Sequence, residues 1–166
     1  MASDRLVDVF ANFFPPNSKD SWLFGPELPW FNENEESGRS DLVLSQSLST
    51  WPENFNAFGL PFLAAEFKSA GSGKEEWDKA FAQLDGAVKY LAKWWSRGQP
   101  LFGVTALGNF CAFYKLENGK LVRVHAAEKL SMADANDRKT IGMILEDIRK
   151  VSPAPTAKFQ SAAPHL

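Results

Sequence analysis

Glu66 and Lys68 stand two residues apart in Pro61-Phe62-Leu63-Ala64-Ala65-Glu66-Phe67-Lys68, a stretch whose start is almost wholly apolar. Such a run reads as a central β-strand. Strand side chains alternate between faces, so Glu66 and Lys68 share one face and Phe67 takes the other. Charges on a buried strand are destabilising unless they are paired or hold a metal ion. Asp41 opens an earlier strand, Asp41-Leu42-Val43-Leu44. If the two strands are neighbours, its carboxylate comes within a few ångströms of Glu66. Two carboxylates with spare oxygens suit Mg²⁺ or Mn²⁺, which leave room for waters and phosphate oxygens. A divalent ion there would activate a water and neutralise charge on a scissile phosphate. Lys68 would orient the attacking water or stabilise the developing negative charge. The plainer alternative is a solvated face or a salt bridge between Glu66 and Lys68.

These residues need elements to position them. Leu6, Val7, Phe10, Phe13 and Phe14 have helical spacing, with Ser3 as N-cap and Pro15-Pro16 as the stop. Residues 17–40 read as a long irregular segment rich in Pro, Asn and Glu, anchored by Trp22, Phe24, Trp30 and Phe31. A loop with Pro52 and Gly59 links the two strands, and Ala70-Gly71-Ser72-Gly73 is a turn. Between Glu75 and Arg97, Trp77, Phe81, Leu84, Val88, Leu91 and Trp95 step by four and three residues, the stripe of an amphipathic helix. Leu101–Ala106 and Phe110–Leu116 read as strands joined at Gly108-Asn109. Asn118-Gly119 turns into a strand over Leu121–His125, and Ala133–Val151 is a final helix. The fold class is therefore α/β (α+β), a mixed central sheet flanked by helices. One domain spans 1–151, and the Pro/Ala/Ser-rich 152–166 segment is expected to be a disordered tail.

The long helix carries a second line. At about 100° per residue, Gln83 and Tyr90 nearly coincide, flanked by Lys79, Trp94 and Arg97. Such a line can contact phosphates and stack a base; an ordinary solvated flank is the alternative. Gln83 is thus a candidate for positioning, and Lys74, Lys79, Tyr90 and Arg97 are candidates for substrate contact. The segment Gly71-Ser72-Gly73-Lys74 imitates a phosphate-binding loop but fails it, with Lys68 at the first glycine position and Glu75 where Ser or Thr is required.

Taken in order, Asp41, then Glu66-Phe67-Lys68, then a long helix and a strand pair with a Gly-Asn turn resemble the PD-(D/E)XK nuclease superfamily. The resemblance runs from about Arg39 to Val124. The strand pair Leu101–Leu116 also resembles that of nuclease-like domains in fungal genomes. The resemblance implies a restriction-endonuclease-like fold, Asp41 and Glu66 as ligands of Mg²⁺ or Mn²⁺, and Lys68 as the residue assisting attack. It also implies DNA or RNA as partner, and a homodimer is one expected arrangement. The superfamily usually carries a further acid on its first helix. Here the candidates are Asp4 and Asp8 on that helix, or Glu27, Glu33, Glu35 and Glu36 in the segment after it. The alternative is a nuclease-like module that no longer cuts and serves in nucleic-acid or protein binding.

The bulk composition narrows the field. The chain has 166 residues, a formal net charge of -2, six Trp and fourteen Phe. That is globular composition. It lacks the basic excess of an obligate duplex-DNA binder, although a local basic strip can coexist with an acidic pocket. Cys111 is the single cysteine and lies in an apolar run, so it reads as a core residue in a reducing compartment. His125 and His165 are isolated, and no zinc spacing exists. No run of about eighteen apolar residues is present, so no membrane span is expected. The opening residues have no secretory pattern, and cytoplasm or nucleus is the expected location.

Overall fold

The computed structural model describes residues 2–14, 22–32, 35–46, 60–68, 73–94 and 98–151. Arg97, Trp95, the loop 47–59, the turn 69–72 and the segment 152–166 lie outside the described residues. The elements are α1 (Ala2–Phe13), β1 (Trp22–Asn32), β2 (Glu35–Gln46), β3 (Leu60–Lys68), α2 (Lys74–Trp94), β4 (Phe102–Leu107), β5 (Phe110–Glu117), β6 (Lys120–Arg123), β7 (Leu130–Ser131) and α3 (Ala135–Val151). Among the described residues the seven strands form one sheet in the order β1-β2-β3-β4-β5-β6, with β7 also paired to β5. All pairings are antiparallel except β3 with β4, which run parallel with α2 as the crossover between them. The fold is thus α+β with a mixed sheet, as the element pattern implies.

Strand alternation sorts the core into two layers. Leu42, Leu44, Leu63, Ala65, Phe102, Val104, Ala106, Cys111 and Phe113 pack on one face with Leu6, Phe10 and Phe14 of α1 and Ile141, Leu145 and Ile148 of α3. Val43 and Ala64 point the other way and meet Leu84, Ala87, Val88 and Leu91 of α2. Cys111 is fully buried, and burial pushes its thiol up to about 12, which makes it an inert core residue. No helix among the described residues is long and apolar enough to cross a membrane.

Within the segment expected to be irregular, residues 22–32 and 35–40 depart from the sequence expectation, while 17–21 and 33–34 lie outside the described residues. Instead of an irregular stretch, β1 and β2 pair antiparallel along the whole length of both strands, from Trp22↔Gln46 to Asn32↔Glu35. Pro26 and Pro29 argue against a central strand, but β1 is an edge, so one of the two can face its missing N–H outward. Being three residues apart in unbroken register, the other faces β2 and leaves one ladder position without a donor. The expected strand at Asp41–Leu44 is therefore only the inner part of β2. The strand before His125 is shorter than expected and stops at Arg123. His125 is held structurally: the Phe113 N–H donates to its Nε2 at 3.0 Å, so this nitrogen is unprotonated. The turn Asn118-Gly119 has φ of 50° and 76°, the two positive values a two-residue type I′ hairpin needs.

Gly103 sets how closely α2 approaches the sheet. A Cβ built there would lie 2.8 Å from Leu84 Cδ2 and 3.0 Å from Leu84 Cγ. Leu84 is fully buried and has no free side to move toward. Gly103→Ala is therefore expected to destabilise the protein by about 1–3 kcal/mol, measured by urea unfolding. The Leu84→Ala change, harmful alone, should cost less in the Gly103→Ala background, giving a favourable coupling in the double-mutant cycle.

Candidate functional site

β2 and β3 are paired from Gln46↔Leu60 to Leu42↔Ala65, and there the ladder ends. Both strands continue, β2 back toward Glu35 and β3 on to Lys68. The two strands therefore part where Asp41 comes opposite Glu66. Alternation from Val43 and Ala64 puts both residues on the α2 side of the sheet. Lys68 lies two residues beyond Glu66 on that side. The structure thus brings Asp41, Glu66 and Lys68 to one end of one face.

The two carboxylates sit in different surroundings. Asp41 is exposed. Its Oδ2 accepts a 2.6 Å hydrogen bond from the Phe67 N–H, so the side chain extends the ladder where the backbones separate. Glu66 is only 1% exposed, and its Oε1 has no hydrogen-bond partner. Burial raises the Glu66 carboxyl to about 8, with Asp41's negative charge adding and Lys68's positive charge opposing. An unpartnered buried carboxyl oxygen is destabilising unless a water, an ion or another group meets it.

Two further polar side chains line this face. Thr105 on β4 is the register partner of Glu66 and is fully buried. Gln83 of α2 is half-buried, and its Oε1 is buried without a partner. The sequence expectation set Gln83 well off the core stripe; in the structure it is half-buried and its amide oxygen is fully enclosed. The reason lies in its neighbours. Ala80 and Ala87 are buried three residues before it and four after it, and their small side chains let this flank of α2 come close. Leu84, next to Gln83, contacts Gly103, whose partner on β3 is Ala64, two residues before Glu66. That Ala80-Gln83-Ala87 spacing was a usable signal. Thr105 carried a fainter one, a single hydroxyl in an apolar strand.

The remaining candidates do not converge. Lys74 begins α2 and is exposed at the Lys68 end of the sheet. Lys79 is exposed, with its ammonium 3.0 Å from Glu75 and 3.5 Å from Glu76. Exposed pairs of this kind are weak and leave Lys79 open to competition from a phosphate. Tyr90 is half-buried sixteen residues beyond Lys74, about 24 Å along the helix, toward the opposite end of the sheet. Asp8 is exposed on α1, whose packing residues lie on the other face, and it lines a cavity with Phe13, Met132 and Arg138. It is therefore remote from Glu66. Glu33 and the side chains of Asp4, Glu27, Glu35 and Glu36 lie outside the described residues. Among the described residues no third His, Cys, Asp or Glu completes a metal-binding group with Asp41 and Glu66.

No protein-family model matches the chain, and no curated protein matches it.

Proposed function

We propose that the protein is a metal-dependent nuclease of restriction-endonuclease-like fold that hydrolyses phosphodiester bonds of DNA or RNA. The observation that carries this reading is the parting of β2 and β3 at Asp41 and Glu66, with the unpartnered Glu66 Oε1 buried beside it. A buried acceptor of this kind, next to a second carboxylate, fits a hard divalent cation. Asp41, through its Oδ1, and Glu66 would hold Mg²⁺ or Mn²⁺. When bound, such an ion supplies an activated water and neutralises charge on the scissile phosphate.

The chain's own residues supply the rest. Lys68, half-buried on the same face as Glu66, orients the attacking water and places positive charge where negative charge develops. Gln83 offers a buried amide oxygen that can accept a hydrogen bond from that water. The floor of Ala64, Thr105 and Leu84 keeps the Glu66 side dry, which strengthens each electrostatic contact.

A second reading, a nuclease-like module that binds without cutting, draws on one observation. Asp41 already gives one oxygen to the Phe67 N–H and is the only carboxylate facing Glu66 among the described residues. Labelled single- and double-stranded DNA and RNA, incubated with the protein in Mg²⁺, Mn²⁺ or EDTA, separate the two. Cleavage in Mg²⁺ or Mn²⁺ but not in EDTA is the expected result. Binding without cleavage in any metal would favour the second reading. Failure of Mn²⁺ to bind in calorimetry would remove the metal site altogether.

A further inference from the structure

Phe110 begins β5 in register with Leu107, which is in register with Lys68. The three residues form one row across the α2 side of the sheet, at the end where Lys68 lies. Phe110 is two strands from Lys68, about 10 Å away. Phe110 is 39% exposed, unusual for a phenylalanine on a sheet face. Trp77, from the first turn of α2, reaches the same end and is half-buried. The ammonium of Lys129 lies near both rings, 4.7 Å from the Phe110 centroid and 5.9 Å from the Trp77 centroid. Lys129 is exposed, as is Lys74 at the start of α2. The acids nearest in sequence to Trp77 on its N-terminal side, Glu75 and Glu76, are engaged by Lys79.

The geometry points to Trp77, Phe110 and Lys129 as a stacking site for an unpaired nucleotide of a single-stranded DNA or RNA segment that continues toward Lys68 and Glu66. This assignment rests on the nuclease reading for the direction of the strand, and names its substrate as single-stranded. Each component suits that occupant. Aromatic faces stack on any base whose own face is free, and bases within a duplex are already stacked. A lysine over aromatic rings at the surface can turn its charge to a phosphate while its stem stays packed. Lys129 at the rings and Lys68 at the other end of the row place positive charge at both ends of it, with the exposed acids Asp78 and Glu128 next in sequence to Trp77 and Lys129. Two cations on one row complement a phosphate backbone rather than an apolar partner.

The test uses the whole chain carrying Glu66→Gln, so that binding is read without cleavage. Fluorescence anisotropy would follow labelled oligo(dT), oligo(rU) and a duplex of equal length. Both single strands are expected to bind at least tenfold more tightly than the duplex. Phe110→Ala should weaken them roughly 5- to 100-fold and leave the salt dependence unchanged. Lys129→Ala should lower the slope of log affinity against log salt by about 0.7. Both positions are exposed, and circular dichroism would verify the fold. Equal binding of single strand and duplex, or unchanged affinity in both variants, would overturn the assignment. Cleavage by the Glu66-intact protein is scored separately. If the wild type cuts and both variants bind as it does, the stacking site fails while the nuclease reading stands. If single strands bind, both variants lose them and nothing is cut, the nuclease reading fails alone.

Discussion

Replacing Glu66 by glutamine is expected to stabilise the metal-free protein above pH 8 by a few kcal/mol. The same change should have little effect near pH 4.5. In the folded chain burial raises this carboxyl from 4.5 to about 8, with Asp41's charge adding to the effect and Lys68 opposing it. A group whose folded pKa is raised contributes its full stability below the unfolded pKa. That contribution falls as pH rises through the folded value. Between about 4.5 and about 8 the wild type should therefore lose stability relative to Glu66→Gln, and above this window the difference should level off. Each pKa unit is worth about 1.4 kcal/mol, which sets the scale. The glutamine has the shape of the protonated acid but never ionises, so the comparison isolates one group. Urea unfolding of both proteins in EDTA at intervals between pH 4.5 and 9 is the measurement. Parallel curves across that range would remove the claim that Glu66 is held in a dry, unpaired state.

The counterpart is metal binding. An ion that binds the folded form alone at a hundred times its Kd adds about 2.7 kcal/mol. Mn²⁺ should therefore raise the Tm of the wild type at pH 8 and leave that of Glu66→Gln where it was. A carboxylate that destabilises the empty fold and stabilises the loaded one has a reason to remain on a buried strand.

Lys68→Ala is expected to reduce cleavage by about 10²- to 10³-fold while leaving Mn²⁺ affinity within about twofold. Lys68 lies on the face of Glu66 but contributes positive charge, not an oxygen ligand. Its loss should therefore appear in kcat with KM little changed, the pattern of an interaction made in the transition state. Glu66→Ala should lose both cleavage and Mn²⁺ binding. Asp41→Ala should weaken Mn²⁺ and also free the Phe67 N–H, so its stability should fall by about 1 kcal/mol. Single-turnover cleavage with calorimetric Mn²⁺ titration of the three variants gives the comparison. Loss of Mn²⁺ binding in Lys68→Ala would mean that this lysine maintains the site's structure and has no separate part in the attack.

Much of the frame could be read from local pattern. The apolar start of β3, the three-and-four spacing along α2 and the turns at Gly108 and Asn118-Gly119 depend on neighbours in sequence, and the structure has them within a residue or two. Placing Glu66 and Lys68 on one face needed only the two-residue period of a strand. The pairing of β1 with β2 was not legible in this way. Pro26 and Pro29 have opposite meanings on a central and an edge strand, and only the completed sheet says which strand is the edge.

The candidate site divides along the same line. By itself the chain determined which residue types could do chemistry and which of them share a strand face, because φ/ψ preference and side-chain alternation are local. The tertiary structure decided that β2 and β3 separate at Asp41 and Glu66, that Thr105 lies beside Glu66, that the Gln83 amide oxygen is enclosed, and that Phe110, Trp77 and Lys129 meet at one end. It also determined how dry Glu66 is. Register between distant strands and exclusion of water arise from packing summed over the whole domain, and no short stretch of sequence contains that sum.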